Sequence, residues 1–233
     1  MQRPRTRLLG LALAIALAPA VSFAQEPYKV EASKEAPPEA LAPAVKEALR
    51  PEGFRVLDAQ GKPFAEFWLR KEIPASGKPA GTQGAVQFPI LAEGELLGAI
   101  KYSVEGGDYR DQPIAAGVYT LRYGLQPVNG DHLGVSPFRD YALLLPAAKD
   151  KTVALLPRKE LETESAEAAG TNHPAILFLL TAPAGSKAEP SIVHDEEKKT
   201  WGAIAPLELA VKGEATPVPL PVKLIVVGAT QGG

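Results

Sequence analysis

The chain has three histidines, His132, His173 and His194, and they are the residues best suited to polar chemistry. His132 follows Asp131 between Gly130 and Gly134, His173 sits between Asn172 and Pro174, and His194 precedes Asp195-Glu196-Glu197. Imidazole with carboxylate is a donor set for zinc, nickel or copper(II). His132, His173, His194 and Asp131 are therefore the candidate ligands of a divalent metal. No H-x-x-x-H or H-x-H occurs, so such a site has to be assembled from separate loops. The plainer expectation is that these are turn residues bonding nearby backbone. The compact version joins two loops, 130–140 and 170–174. Gly130 and Gly134 allow backbone turns that bulkier residues resist, Arg139-Asp140 sets opposite charges just before a strand, and Pro174 confines His173 to extended backbone.

Other chemistries find less support. The chain has no cysteine, and its single methionine is Met1. Within this chain that excludes thiol nucleophiles, iron–sulfur ligation, c-type haem attachment and blue-copper thiolate ligation. Gly134-Val135-Ser136-Pro137-Phe138 lacks the last glycine of a nucleophile elbow and leads into a strand instead of a helix, so Ser136 is expected to be a turn serine. Glu105-Gly106-Gly107-Asp108 has neither the lysine nor the following helix of a phosphate loop and reads as a hairpin connection. Among the aromatic residues, Tyr119 and Tyr123 alternate cleanly and read as core. Trp68 and Trp201 are the candidates for stacking on a sugar ring. No catalytic residue and no cofactor beyond a divalent metal is expected.

These residues sit in a chain patterned mainly as strands. Residues 54–57 and 64–69 flank a turn at Gln60-Gly61, with Ala65, Phe67 and Leu69 on one face and Phe64, Glu66, Trp68 and Arg70 on the other. Further strands are expected at 86–91, 96–104, 118–123, 141–145, 153–156, 175–181, 200–204, 207–211 and 222–227. In residues 118–123, Tyr119, Leu121 and Tyr123 alternate with Val118, Thr120 and Arg122. Two helices are expected. One spans 39–49 and stops at Arg50-Pro51 and Gly53. The other spans 158–169, with Leu161 and Ala168 buried and Gly170 as its stop. Many short strands separated by Gly, Pro and Asp turns point to an antiparallel β-sandwich with one or two short accessory helices.

The amino-terminal residues read as an export signal: Arg3, Arg5 and Arg7, an apolar run over 8–17, and Ser22-Phe23-Ala24 before a cleavage at Gln25. The run is shorter than the roughly 20 residues that a membrane span needs. The expected organisation is a signal peptide over 1–24, a flexible leader over 25–38 and one soluble β-sandwich domain over 39–233, periplasmic or secreted. The net charge is −2, from 25 Lys and Arg against 27 Asp and Glu, and cleavage of the signal peptide removes three arginines and no acid. A mildly acidic mature chain argues against a nucleic-acid partner. The segments 117–123, 130–134, 137–140 and 170–174 resemble uncharacterised exported bacterial proteins; the resemblance implies a sandwich-like fold and carries no activity. The leading expectation is a non-catalytic binding or interaction module with a protein or carbohydrate ligand. Metal binding or metal-dependent hydrolysis through the histidines, and carbohydrate binding through the tryptophans, are its rivals.

Overall fold

The computed structural model describes residues 27–128 and 136–228. Thirteen strands and two helices occur among them. In chain order these are β1 (Lys29–Ser33), α1 (Pro43–Ala48), β2 (Gly53–Leu57), β3 (Pro63–Leu69), β4 (Ile73–Ala75), β5 (Leu96–Tyr102), β6 (Gly106–Gly107), β7 (Pro113–Ile114), β8 (Gly117–Leu125), β9 (Asp140–Pro146), α2 (Arg158–Ala169), β10 (Ile176–Thr181), β11 (Ser191–Asp195), β12 (Thr200–Val211) and β13 (Val218–Val227).

The protein is mainly β. Ten strands form one antiparallel path, β1-β2-β3-β5-β8-β9-β10-β13-β12-β11, and β4 adds in parallel to β12. The sheet curls like a half-barrel until its ends meet. Tyr28, just ahead of β1, packs on Trp201 of β12 with ring centroids 5.4 Å apart. The curl sets two halves of the sheet against each other over a single core, in the manner of a sandwich. Period-two alternation supplies that core: Phe54 and Val56, Ala65 and Phe67, Tyr119, Leu121 and Tyr123, Leu177 and Leu179, Ala203 and Ala205, Val222 and Leu224.

The outer face is covered in patches, which is why several strands read as unbroken apolar runs. Under α1 lie Trp68, Leu96 and Ala99, packed against Leu41, Val45 and Leu49. Under α2 lie Tyr141, Leu143, Ile176 and Phe178, packed against Leu161. Elsewhere on the outer face the fully buried Arg122 of β8 holds the chain segment that follows β9. Its Nε and one terminal nitrogen donate to Asp150 at 2.8 Å each. Its other donors go to the carbonyls of Gly94 at 2.8 Å, Ala154 at 2.7 Å and Thr152. All five guanidinium donors are used.

Helix α2 forms over the residues its sequence predicts and ends at Gly170, whose φ of 62° suits a left-handed cap. Helix α1 is shorter than its expected span. Four other expectations are corrected. Residues 29–33, expected within a flexible leader, form β1, the edge strand beside β2, because backbone pairing holds a strand whose side chains are mostly exposed. Residues 86–91 are not a strand. They cross the sheet end, where the Asp140 carboxylate accepts the amides of Gln87 at 2.8 Å and Phe88 at 3.0 Å. Residues 153–156 are likewise irregular, since Arg122 takes their neighbouring carbonyls. The expected strands at 200–204 and 207–211 are one strand; Pro206 faces Pro221 across it, so the missing donors fall on one rung.

Candidate functional site

Between α2 and the outer face of the sheet lies a groove of about 940 Å³, near the upper end of the range of about 300–1,000 Å³ usual for ligand sites. Its floor is Tyr141 and Ile176, members of the outer apolar cluster. Gly124 pairs with Tyr141 across β8 and β9. A side chain there would meet the Tyr141 ring at 2.7 Å, so the glycine lets the ring lie flat on the neighbouring strand. The Tyr141 hydroxyl donates to the Leu125 carbonyl at 3.0 Å. One wall is helical: Glu162, Thr163, Ala166 and Glu167 are spaced to share a face of α2. The others are Gln126-Pro127 after β8, the turn carrying Tyr109 and Arg110, and residues 170–174.

The mouth is built rigidly. Asp108, buried, accepts the amides of Arg110 at 2.8 Å and Gln112 at 3.0 Å, and the Gln112 side-chain amide at 2.7 Å. That network holds Asp111 in the left-handed region at φ 62°, a conformation that costs a non-glycine residue about 1–2 kcal/mol. Gln112 then bridges to the facing loop by accepting the Thr171 hydroxyl at 2.7 Å. Thr171 accepts the His173 amide at 3.1 Å. Two loops more than fifty residues apart are thereby fixed to one another, and Arg110 is set beside His173 with 3.4 Å between a guanidinium nitrogen and Nδ1.

Charge in the groove is unevenly matched. Glu167 pairs with Lys149 at 3.2 Å, and Arg158, bound to Glu93 at 2.6 Å, also comes within 3.7 Å of Glu162. Arg110 has no carboxylate partner among the described residues. Burial pushes the Tyr109 phenol up, with the Arg110 guanidinium pulling the other way. Gln126 is 5% exposed, and its amide nitrogen has no hydrogen-bond partner among the described residues.

The residues singled out in the sequence are spread over this frame. His173 lines the groove. His194 lies on β11, where its ring stacks on Trp201 at 4.0 Å with planes 7° apart. The two histidines therefore belong to different regions of the sheet. Asp131 and His132 lie outside the described residues. Among the described residues no group of three or more His, Asp and Glu converges as a metal site would require. Trp68 is 1% exposed beneath α1, and its indole N–H donates to the Glu35 carbonyl at 2.9 Å. Trp201 is also buried, with His194 over one side and Tyr28 against it. Neither indole presents an open face, so the exposed stacking platform expected of them is replaced by packing. Ser136 accepts the Phe138 amide at 3.2 Å, as a turn serine does. Of the two loops expected to share a site, 170–174 lines the groove, whereas residues 136–140, the described part of the other, do not line it, and Asp140 is bound to the amides of Gln87 and Phe88 instead.

Sequence reasoning missed Arg110 and Gln126, whereas Tyr141 is one of the aromatic residues it offers for a stacking platform. The one available signal was Asp108-Tyr109-Arg110-Asp111, an arginine and an aromatic residue inside a turn already expected from Gly106-Gly107. Comparison of the chain with protein-family models, with curated proteins and with solved structures finds no match.

Proposed function

We propose that this protein is an exported binding module whose ligand, a small polar organic molecule, occupies the groove between α2 and the sheet. The observation that supports it is the groove's size combined with its lining. An apolar floor of Tyr141 and Ile176 sits with a small set of polar groups, Arg110 and His173 on a braced rim and the buried Gln126 below it. Ligand sites share that plan: apolar area supplies affinity, and a few fixed polar groups supply orientation. Bracing before binding limits the ordering cost that association would otherwise carry.

Filling the groove tests the reading. Ala166 sits mid-wall on α2, and Ala166→Trp projects an indole into the cavity without disturbing the buried Leu161 and Ser165 of the same helix. Saturation-transfer NMR with a library of small polar compounds should find binders to the wild type that A166W no longer binds. Equal binding by both proteins would place the ligand elsewhere and overturn the groove. The export half of the proposal rests on the charged, apolar and small-residue order of residues 1–24. Sequencing of the secreted or periplasmic protein is expected to begin at Gln25, and recovery of intact Met1 from a membrane fraction would contradict it.

A further inference from the structure

We infer that the groove selects ligands bearing a carboxylate, which docks at the mouth between Arg110 and His173. The inference rests on the groove being the binding site. Three observations carry it. Glu167 is paired with Lys149 and Glu162 shares Arg158 with Glu93, so neither groove carboxylate is within ion-pair distance of Arg110, which has no carboxylate partner among the described residues. Among the described residues the mouth thus holds a cation without a carboxylate, and a ligand carboxylate is the group that matches it.

The second observation is geometric. Asp108 and Gln112 hold the Arg110 turn, and Thr171 ties that turn to the loop carrying His173. Arg110 presents a planar fork of donors, which suits the two oxygens of a carboxylate. With Nδ1 facing the guanidinium, the ring's remaining nitrogen is left to meet the ligand. The third observation lies deeper. The buried Gln126 amide nitrogen lacks an acceptor among the described residues. Gln126 lines the groove, and turning its amide toward a ligand oxygen there supplies one, so the carboxylate is joined to a body carrying hydroxyl or carbonyl oxygens. Sugar acids and short dicarboxylic acids both fit that description.

Matched probe pairs separate the charge from the rest of the molecule: galacturonate against galactose, and succinate against succinamide. Each is titrated at millimolar concentration into uniformly labelled protein, following the Arg110 side chain and the amides of residues 170–173 by NMR. The acid of at least one pair should bind about tenfold or more tightly than its neutral partner, the difference that one charge-assisted pair supplies. Arg110→Gln should erase that preference while the melting temperature stays put, because Arg110 is exposed. Tighter galacturonate identifies a sugar acid, and tighter succinate a simple organic acid. Two results overturn the inference. If neutral and acidic probes shift the groove equally, or if chloride and sulfate compete as well as carboxylates do, the site is not carboxylate-selective although the groove still binds ligands. If no probe perturbs the groove and A166W changes nothing in the library screen, the carboxylate site and the groove itself both fall.

Discussion

At the scale of single residues, the molecule separates polar groups that hold the fold from polar groups left over. Asp140 belongs to the first kind. Besides two backbone amides it accepts the Tyr123 hydroxyl at 2.7 Å, and all of these groups are buried. Tyr123→Phe should therefore cost about 1–2 kcal/mol, a buried acceptor having lost a charge-assisted bond. Urea unfolding measures it, and an unchanged midpoint would show that Asp140 is satisfied without the phenol. Gln126 belongs to the second kind. Its buried amide nitrogen has no acceptor among the described residues, and replacing such a group by an apolar side chain of similar size removes a desolvation penalty. Gln126→Leu should raise stability by about 1 kcal/mol while abolishing ligand binding in the groove. A destabilised variant would mean that the amide has a structural partner. Neither residue could have been sorted this way from the sequence, because an aspartate before a strand and a glutamine after one look alike until burial and partners are known.

At the scale of elements, β8 shows how far patterning carries and where it stops. The alternation of Tyr119, Leu121 and Tyr123 marks their face as core, and all three are in the core. The same alternation assigns Val118, Thr120 and Arg122 to the opposite face and gives no warning that this face is covered. Thr120 and Arg122 are fully buried there. What covers them is a segment some thirty residues onward, whose Asp150 sits in a stretch with no periodicity to read. Leu121→Ala should cost about 2–5 kcal/mol, as a fully buried leucine does. Arg122→Ala should cost about 3–5 kcal/mol, because Asp150 is left as an uncompensated buried charge. Arg122→Met combined with Asp150→Leu should lose less than Arg122→Ala alone, since that pair removes both charges and refills the volume. Additive losses in the combined variant would show that the ion pair itself, and not its one-sided removal, sets the stability. The limits of legibility follow the same line. Helix α2 and its Gly170 stop are local and were legible. The sheet order, which joins β5 to β8 and β10 to β13, and the groove, which joins the turn at Arg110 to residues 170–174, are not local. β1 was hidden for a different reason, since an edge strand with exposed side chains lacks the apolar alternation by which strands are recognised.

At the scale of the whole molecule, the tyrosines are a shared liability at high pH. The chain has six, and the phenols of Tyr28, Tyr102, Tyr109, Tyr119, Tyr123 and Tyr141 are all pushed above the ordinary value of 10.0, with burial as the largest cause in each. A raised pKa in the folded state means that the unfolded chain releases its phenolic protons first. Stability from these groups is complete below about pH 10 and declines as pH rises above it, toward the folded-state values. Tyr102, Tyr123 and Tyr141 are pushed up furthest, and each contributes a slope of up to about 1.4 kcal/mol per pH unit, or about 4 kcal/mol per pH unit for the three. The phenols should therefore ionise together, in the transition that unfolds the protein. Parallel traces of circular dichroism and phenolate absorbance against pH decide this, and independent ionisation near pH 10 with the fold intact would refute it. Two variants divide the effect by environment. The Tyr102 hydroxyl is buried without a partner among the described residues, so Tyr102→Phe should hold or raise stability at neutral pH and also flatten the alkaline decline. Tyr123→Phe should flatten the decline just as much but begin from a lower neutral value, because it gives up the bond to Asp140. Its stability curve should then cross that of the wild type on the alkaline side, whereas the curve for Tyr102→Phe should not cross it at all.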